Sequence, residues 1–157
     1  MSGEQKYIGD ASKLDLPTAT AWFKIDAEYG ITGFELFGNG SQLGGYTGVG
    51  ISATKGVFPK IDQLGWTGIN FVNPTTGNVN VTLSARRDDG SIVKSGSVTK
   101  NLAPGEKVVN TVEELFPDSN NIDEATFITY SADKEIVGFQ LNGSADNLML
   151  DALPAGI

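Results

Sequence analysis

At 157 residues the chain has the length of one domain or one and a fraction, and with no Cys and no His it lacks disulfides, thiolate nucleophiles and the commonest general base and transition-metal ligand. Catalysis would have to rest on carboxylates, Lys, Tyr or Ser/Thr, as in two-carboxylate glycoside chemistry or a Ser–Lys pair. The balance of 19 acidic against 11 basic residues gives a net charge of −8, and neither sign forms a long block, which makes nucleic acid and anionic membranes poor partners.

Helical periodicity is almost absent, while 20 Gly and 6 Pro punctuate short alternating runs. Strands are predicted near 19–27, 31–38 and 42–51, the last weakened by glycines at 44, 45, 48 and 50. Trp66–Asn73 opens a further series. Val79, Val81, Leu83 and Ala85 then alternate with Asn80, Thr82, Ser84 and Arg86, which places an apolar set on one face and a polar set on the other. Asp89-Gly90 predicts a type I′ turn, with residues 91–99 returning as the hairpin partner. Pro104-Gly105 fits the centre of a type II turn, since Pro fixes φ at the first position and Gly allows a positive φ at the second.

Beyond it, Lys107–Val112 reads as a strand, Glu113–Phe116 as a single helical turn halted by Pro117, and 118–124 as a polar loop. Three strands follow at 125–131, 136–142 and 147–153. The predicted fold is an all-β, immunoglobulin-like antiparallel β-sandwich.

The chain also repeats part of itself. The stretch Ala27–Leu36 recurs as Ala132–Leu141 at a constant offset of 105 positions, Gly33-Phe34-Glu35-Leu36 answering Gly138-Phe139-Gln140-Leu141. Asn39-Gly40-Ser41 answers Asn142-Gly143-Ser144 if two residues are inserted in the first copy, and Leu43 answers Leu148. Residues 58–124 have no earlier counterpart. This predicts the C-terminal half of one repeat over 1–51, packed on a complete sandwich module over 52–157. The early strands would leave an apolar face open to water, so strand pairing with the complete module, with a neighbouring repeat or with a second copy is expected.

The side chains that could carry chemistry are scattered. Acidic clusters occur at Asp88-Asp89, Asp118–Glu124, Asp133–Glu135 and Asp146-Asn147, without the alternate-residue spacing of a calcium loop, so they read as solvated turns. Trp66, with Trp22, Tyr29, Tyr46 and Tyr130, could form a sugar-stacking platform, although aromatics at alternating strand positions are more often core, and Trp22 aligns with Phe127. Gly33-Phe34 and Gly138-Phe139 are read as a glycine permitting close approach beside a core Phe. Three glycosylation triplets, at Asn39, Asn80 and Asn142, carry little weight. Val81, Leu83, Phe139, Leu141 and Phe34 are predicted to be almost fully buried. No residue is assigned a catalytic, cofactor-binding or metal-binding role, and no ligand-binding residues are assigned.

The ensemble of Phe58-Pro59-Lys60-Ile61, Gly65–Pro74, Asp89-Gly90, Leu102–Glu106, Leu115-Phe116-Pro117, Gly138–Leu141 and Ala152-Leu153-Pro154 resembles β-sandwich modules that recur in tandem in large secreted and surface proteins of bacteria. The resemblance spans 57–157, with 19–43 as a truncated copy. It implies a non-catalytic structural or adhesive module that needs no cofactor, partnered by neighbouring modules or by a surface glycan or protein. The alternatives are a carbohydrate-binding module, which would show coplanar exposed rings, and a small hydrolase with two opposed carboxylates. No run approaches the roughly 18 apolar residues of a membrane helix, so no membrane insertion is expected. The N-terminus lacks a signal-peptide core. The resemblance implies a secreted or cell-surface location, and a cytoplasmic one is expected if Met1 is the natural start.

Overall fold

The computed structural model describes residues 11–28, 30–39 and 42–156. It divides into two compact units, Met1–Gly30 and Ile31–Ile157. In the first, a single 3-10 turn spans Ala11–Leu14, the Thr20 hydroxyl donates to the Pro17 carbonyl at 2.7 Å, and Lys24 pairs with Asp26 at 2.6 Å. Residues 19–27 form no strand, contrary to expectation. A strand exists only by pairing, and the described part of this unit offers no second strand. Trp22, expected in the core, is half-buried, and Tyr29 lies outside the described residues.

The described residues of the second unit form nine strands: β1 (Phe34–Asn39), β2 (Gln42–Thr47), β3 (Ala53–Phe58), β4 (Trp66–Val72), β5 (Val79–Arg86), β6 (Ile92–Leu102), β7 (Lys107–Thr111), β8 (Phe127–Gly143) and β9 (Leu150–Pro154). A one-turn helix, α1, spans Val112–Leu115. The pairings between these strands are antiparallel, Leu43 and Met149 adding an isolated parallel bridge, and the fold is an all-β sandwich.

The 17-residue β8 organises it. Residues 127–132 pair with β5, and 137–143 pair with β4 and β9, so one strand serves both sheets. The first sheet has the order β6-β5-β8-β3 and the second β7-β4-β8-β9. Two strands, 125–131 and 136–142, are expected from the sequence here, broken at Asp133–Glu135. That segment instead carries the chain between sheets, its bend held by Asp133, whose carboxylate accepts from the Asn80 backbone N–H at 2.9 Å and the Asn80 amide at 2.8 Å. β3 was missed altogether, because Ala53-Thr54-Lys55-Gly56-Val57-Phe58 shows little apolar alternation.

Local turn chemistry explains the hairpins. The β5–β6 connection is not the predicted type I′ turn. The Gly90 N–H donates to the Arg87 carbonyl at 2.9 Å with φ +82° at Gly90, while Asp89 stays out of the left-handed region. That combination is a type I turn followed by a bulge, the usual three-residue solution. The Pro104-Gly105 turn matches its prediction: the Glu106 N–H reaches the Ala103 carbonyl at 3.0 Å, and Gly105 has φ +75°. The helical turn also forms, one residue early, because Thr111 and Glu114 make a reciprocal capping box.

Val79, Val81, Leu83 and Ala85 are completely buried, as their alternation requires, and meet Ile69, Phe71, Phe58 and Ile128 between the sheets. Phe34, Phe139 and Leu141 do not join them. Phe34 is 66% exposed, while Phe139 and Leu141 are half-buried on the outer side of β8. The inward side of that strand carries Ile136, Gly138, Gln140 and Asn142. The ring that fills the core here comes from Phe58, and a Cβ on Gly138 would stand 3.1 Å from it. Gly138 therefore permits a close approach, but to a residue 80 positions upstream rather than to its neighbour.

The polar inward residues Gln140 and Asn142 join a buried network that fastens the β3–β4 connection, in which Asn142 Nδ2 alone finds no partner among the described residues. The Gln140 amide donates to the Lys60 carbonyl at 2.9 Å, and the Thr67 hydroxyl donates to Asn142 Oδ1 at 2.7 Å. Thr67 Oγ1 in turn accepts the Asp62 N–H at 2.8 Å. Most buried polar groups are partnered in this way. Asn142 is 3% exposed, which removes it as a glycosylation acceptor in the folded chain.

Candidate ligand-binding face

The outward face of the first sheet is built from the polar half of the β5 alternation. Strand pairing places Thr99, Thr82, Ser131 and Lys55 in one row across β6, β5, β8 and β3. Ser97, Ser84 and Thr129 form the next row, beside Val57. The rows are cross-linked, with 2.9 Å between the Thr82 and Thr99 hydroxyls and 3.4 Å between those of Ser84 and Ser97. Arg86 closes the end of the second row. Its Nε donates to the Thr129 hydroxyl at 2.9 Å and its Nη1 to the Gly90 carbonyl at 2.7 Å, which fixes the guanidinium in place.

Between β3, β5 and β8 the face dips into a shallow trough of about 450 Å³. Its polar side chains are Lys55, Thr82, Ser84, Arg86, Thr129 and Ser131, with Tyr130 beneath. Among the described residues no carboxylate lines it. Arg87, one residue beyond Arg86, pairs with Glu124, whereas neither Lys55 nor Arg86 forms an ion pair among the described residues.

A second surface lies on the β1–β2 hairpin. Cross-strand pairing puts Phe34, Leu36 and Leu43 on one side, and they are 66, 62 and 68% exposed. The other side carries Glu35, Phe37 and Tyr46 and faces the sandwich: Tyr46 stacks on Phe139 with 4.9 Å between centroids and 19° between planes. Leu43 also bridges Met149. The Tyr46 hydroxyl donates to Glu35 at 3.0 Å, and burial, then that bond and the Glu35 charge, push its pKa up to about 12.

Several of the remaining candidate groups have structural partners. Tyr130 is buried against Phe58, and Trp66 lies across Gly143. Asp89 caps Ser91, Asp133 binds Asn80, and Asp146 accepts from the Ser144 hydroxyl at 2.6 Å and the Leu148 N–H at 3.1 Å. Asp62 likewise accepts from the Leu64 and Gly65 N–H groups. Among the described residues no three acidic groups converge as a metal would require.

These hydrogen bonds hold the carboxyls of Asp62, Asp89, Asp133 and Asp146 below the ordinary aspartate value. A depressed folded-state pKa contributes stability above the unfolded value and loses it as pH falls through the folded one. The melting temperature is therefore expected to hold between pH 7 and 5 and to drop below about pH 4, the unfolded aspartate range. A melting temperature unchanged down to pH 2 would contradict these turns.

No known protein family and no curated protein matches this sequence. Among solved structures, the crystal structure of Thermotoga maritima 1070 is similar, with a TM-score of 0.50 at 12% identity, covering 66% of this chain and 92% of that one. At that identity the likeness concerns the fold alone.

Proposed function

We propose that this chain is a non-catalytic structural or adhesive β-sandwich module of a bacterial extracellular or surface protein. The observation that carries the reading is the outward face of the first sheet, where hydroxyls from three strands and two cations are arrayed on a rigid support. Such a surface supplies many hydrogen-bond donors and acceptors without an activated nucleophile. Ser131 lies opposite Lys55, but Lys55 stands in water rather than in the apolar surroundings that activate an amine. The carboxylates of Asp62, Asp89, Asp133 and Asp146 sit at separate places in the chain, each bound to its own backbone or side-chain partner.

Two experiments test this. Retention of the purified chain on immobilised bacterial-surface polysaccharides should fall on the double change Thr82→Val with Ser131→Ala, while the melting temperature stays within a few degrees. Unchanged retention, or none at all, counts against adhesion by this face. Screens against glycan, ester and peptide substrates should give no rate above buffer, and a turnover abolished by one Asp→Asn or Glu→Gln change would replace this reading with the hydrolase.

The apolar row Phe34, Leu36 and Leu43 is, on the same reading, where a neighbouring module or a second copy would pair. Leu36→Lys should then abolish any concentration-dependent dimer seen by sedimentation, and a dimer that survives it must use another surface.

A further inference from the structure

We infer that the trough on the first sheet binds an acidic saccharide, the carboxylate of a uronate-type residue seated between Lys55 and Arg86 with ring hydroxyls on the rows of Ser and Thr. The inference rests on the adhesive reading and names its ligand class. Three features of the trough lead to it.

The first is charge. In a chain with 19 acidic residues and a net charge of −8, a concavity lined among the described residues by two cations and no acid is a local inversion of the surface. Most Lys and Arg charges on a protein surface cost little to leave solvated, so an unpaired cation alone means nothing. Here both face one trough, and the neighbouring Arg87 shows that a carboxylate partner was within the reach of this region.

The second is orientation. Arg86 is held by Thr129 and the Gly90 carbonyl through Nε and Nη1, and among the described residues no such bond engages its other terminal nitrogen. A pre-oriented guanidinium loses less freedom on binding an oxyanion than a free one.

The third is the repeat of hydroxyls. Adjacent strands lie about 4.8 Å apart and alternate residues about 7 Å apart along each strand. Thr82, Ser84, Thr129 and Ser131 therefore form a two-dimensional grid of groups that both donate and accept. A polyhydroxylated ring offers the complementary pattern, whereas a bare inorganic oxyanion would use only the cations.

The test is calorimetric titration of the full chain with tetragalacturonate, with its fully methyl-esterified form and with sodium sulfate. Tetragalacturonate should bind, and the neutral ester should bind at least tenfold more weakly, as expected for loss of one charge-assisted contact. Lys55→Gln should weaken binding about tenfold. Lys55→Arg should preserve it, and since Lys55 is exposed both variants should fold. Thr82→Val should also weaken tetragalacturonate.

Equal binding of acid and ester overturns the acidic class and leaves the adhesive reading standing. Sulfate binding as tightly as tetragalacturonate overturns the saccharide. Tetragalacturonate binding untouched by Lys55→Gln overturns the site. Binding of none of the three probes overturns the inference, and the adhesive reading is then judged separately by retention on the wider set of polysaccharides.

Discussion

Replacing Phe71 with Ala is expected to cost about 3–5 kcal/mol, the range for a fully buried aromatic whose cavity the surroundings fill only in part. Phe71 has no exposed surface, lies on β4 between β7 and β8, and faces the β5 aliphatics across the sandwich. The informative comparison is Phe139→Ala, for which about 1–2 kcal/mol is expected. Phe139 is half-buried, and it loses its stack on Tyr46, worth about 0.5–1.5 kcal/mol, together with part of an aromatic burial. Urea unfolding with an unchanged m-value would give both numbers. Equal costs, or a larger cost at Phe139, would show that β8 turns its other face to the core.

That contrast also marks where sequence reasoning reaches its limit. β5 was legible because one face of it is apolar and the other polar, and the structure buries the apolar set. β8 was not, because Val137, Phe139 and Leu141 alternate with Ile136, Gly138, Gln140 and Asn142, and apolarity alone favours the wrong face. What decides is non-local. Phe58, far upstream, takes the inward space above Gly138, while Gln140 and Asn142 are recruited to hold the Lys60 and Thr67 backbone and side-chain groups.

The hairpin turns were read to within their chemistry. Asp89-Gly90 did mark a reversal, with the left-handed position at Gly90 alone. The candidate face was legible only in part. Thr82, Ser84 and Arg86 stood out as the polar half of a strand, but Lys55, Thr129 and Ser131 join them only once β3 and β8 are paired. Their signal was the polar spacing of Thr129 and Ser131 on either side of a buried Tyr130, and Lys55 lay on the strand that was missed.

Gly65→Ala is expected to destabilise the protein by about 3 kcal/mol or more, or to prevent folding. A Cβ at this position would stand 1.9 Å from the Gly143 carbonyl oxygen, so the obstacle is backbone and no rotamer change relieves it. The backbones meet so closely because Gly65 ends the loop whose N–H groups bind Asp62, and the next residue, Trp66, opens β4 in register with Gly143. Moving Gly65 outward would strain both the Asp62 turn and the first rung of the β4–β8 ladder.

Trp66 adds a second constraint, since its indole occupies the space where a side chain on Gly143 would go, 2.1 Å from the would-be Cβ. Gly143→Ala should therefore show the same penalty, eased only if the indole swings out. Gly50→Ala is the control: nothing lies within 4 Å and its φ is not in the left-handed region, so a change within about 0.5 kcal/mol is expected. Chemical denaturation of the three variants decides the matter. If Gly65→Ala were as stable as Gly50→Ala, the β3–β4 connection could not approach β8 as described, and the buried network of Thr67, Gln140 and Asn142 would lose its anchor.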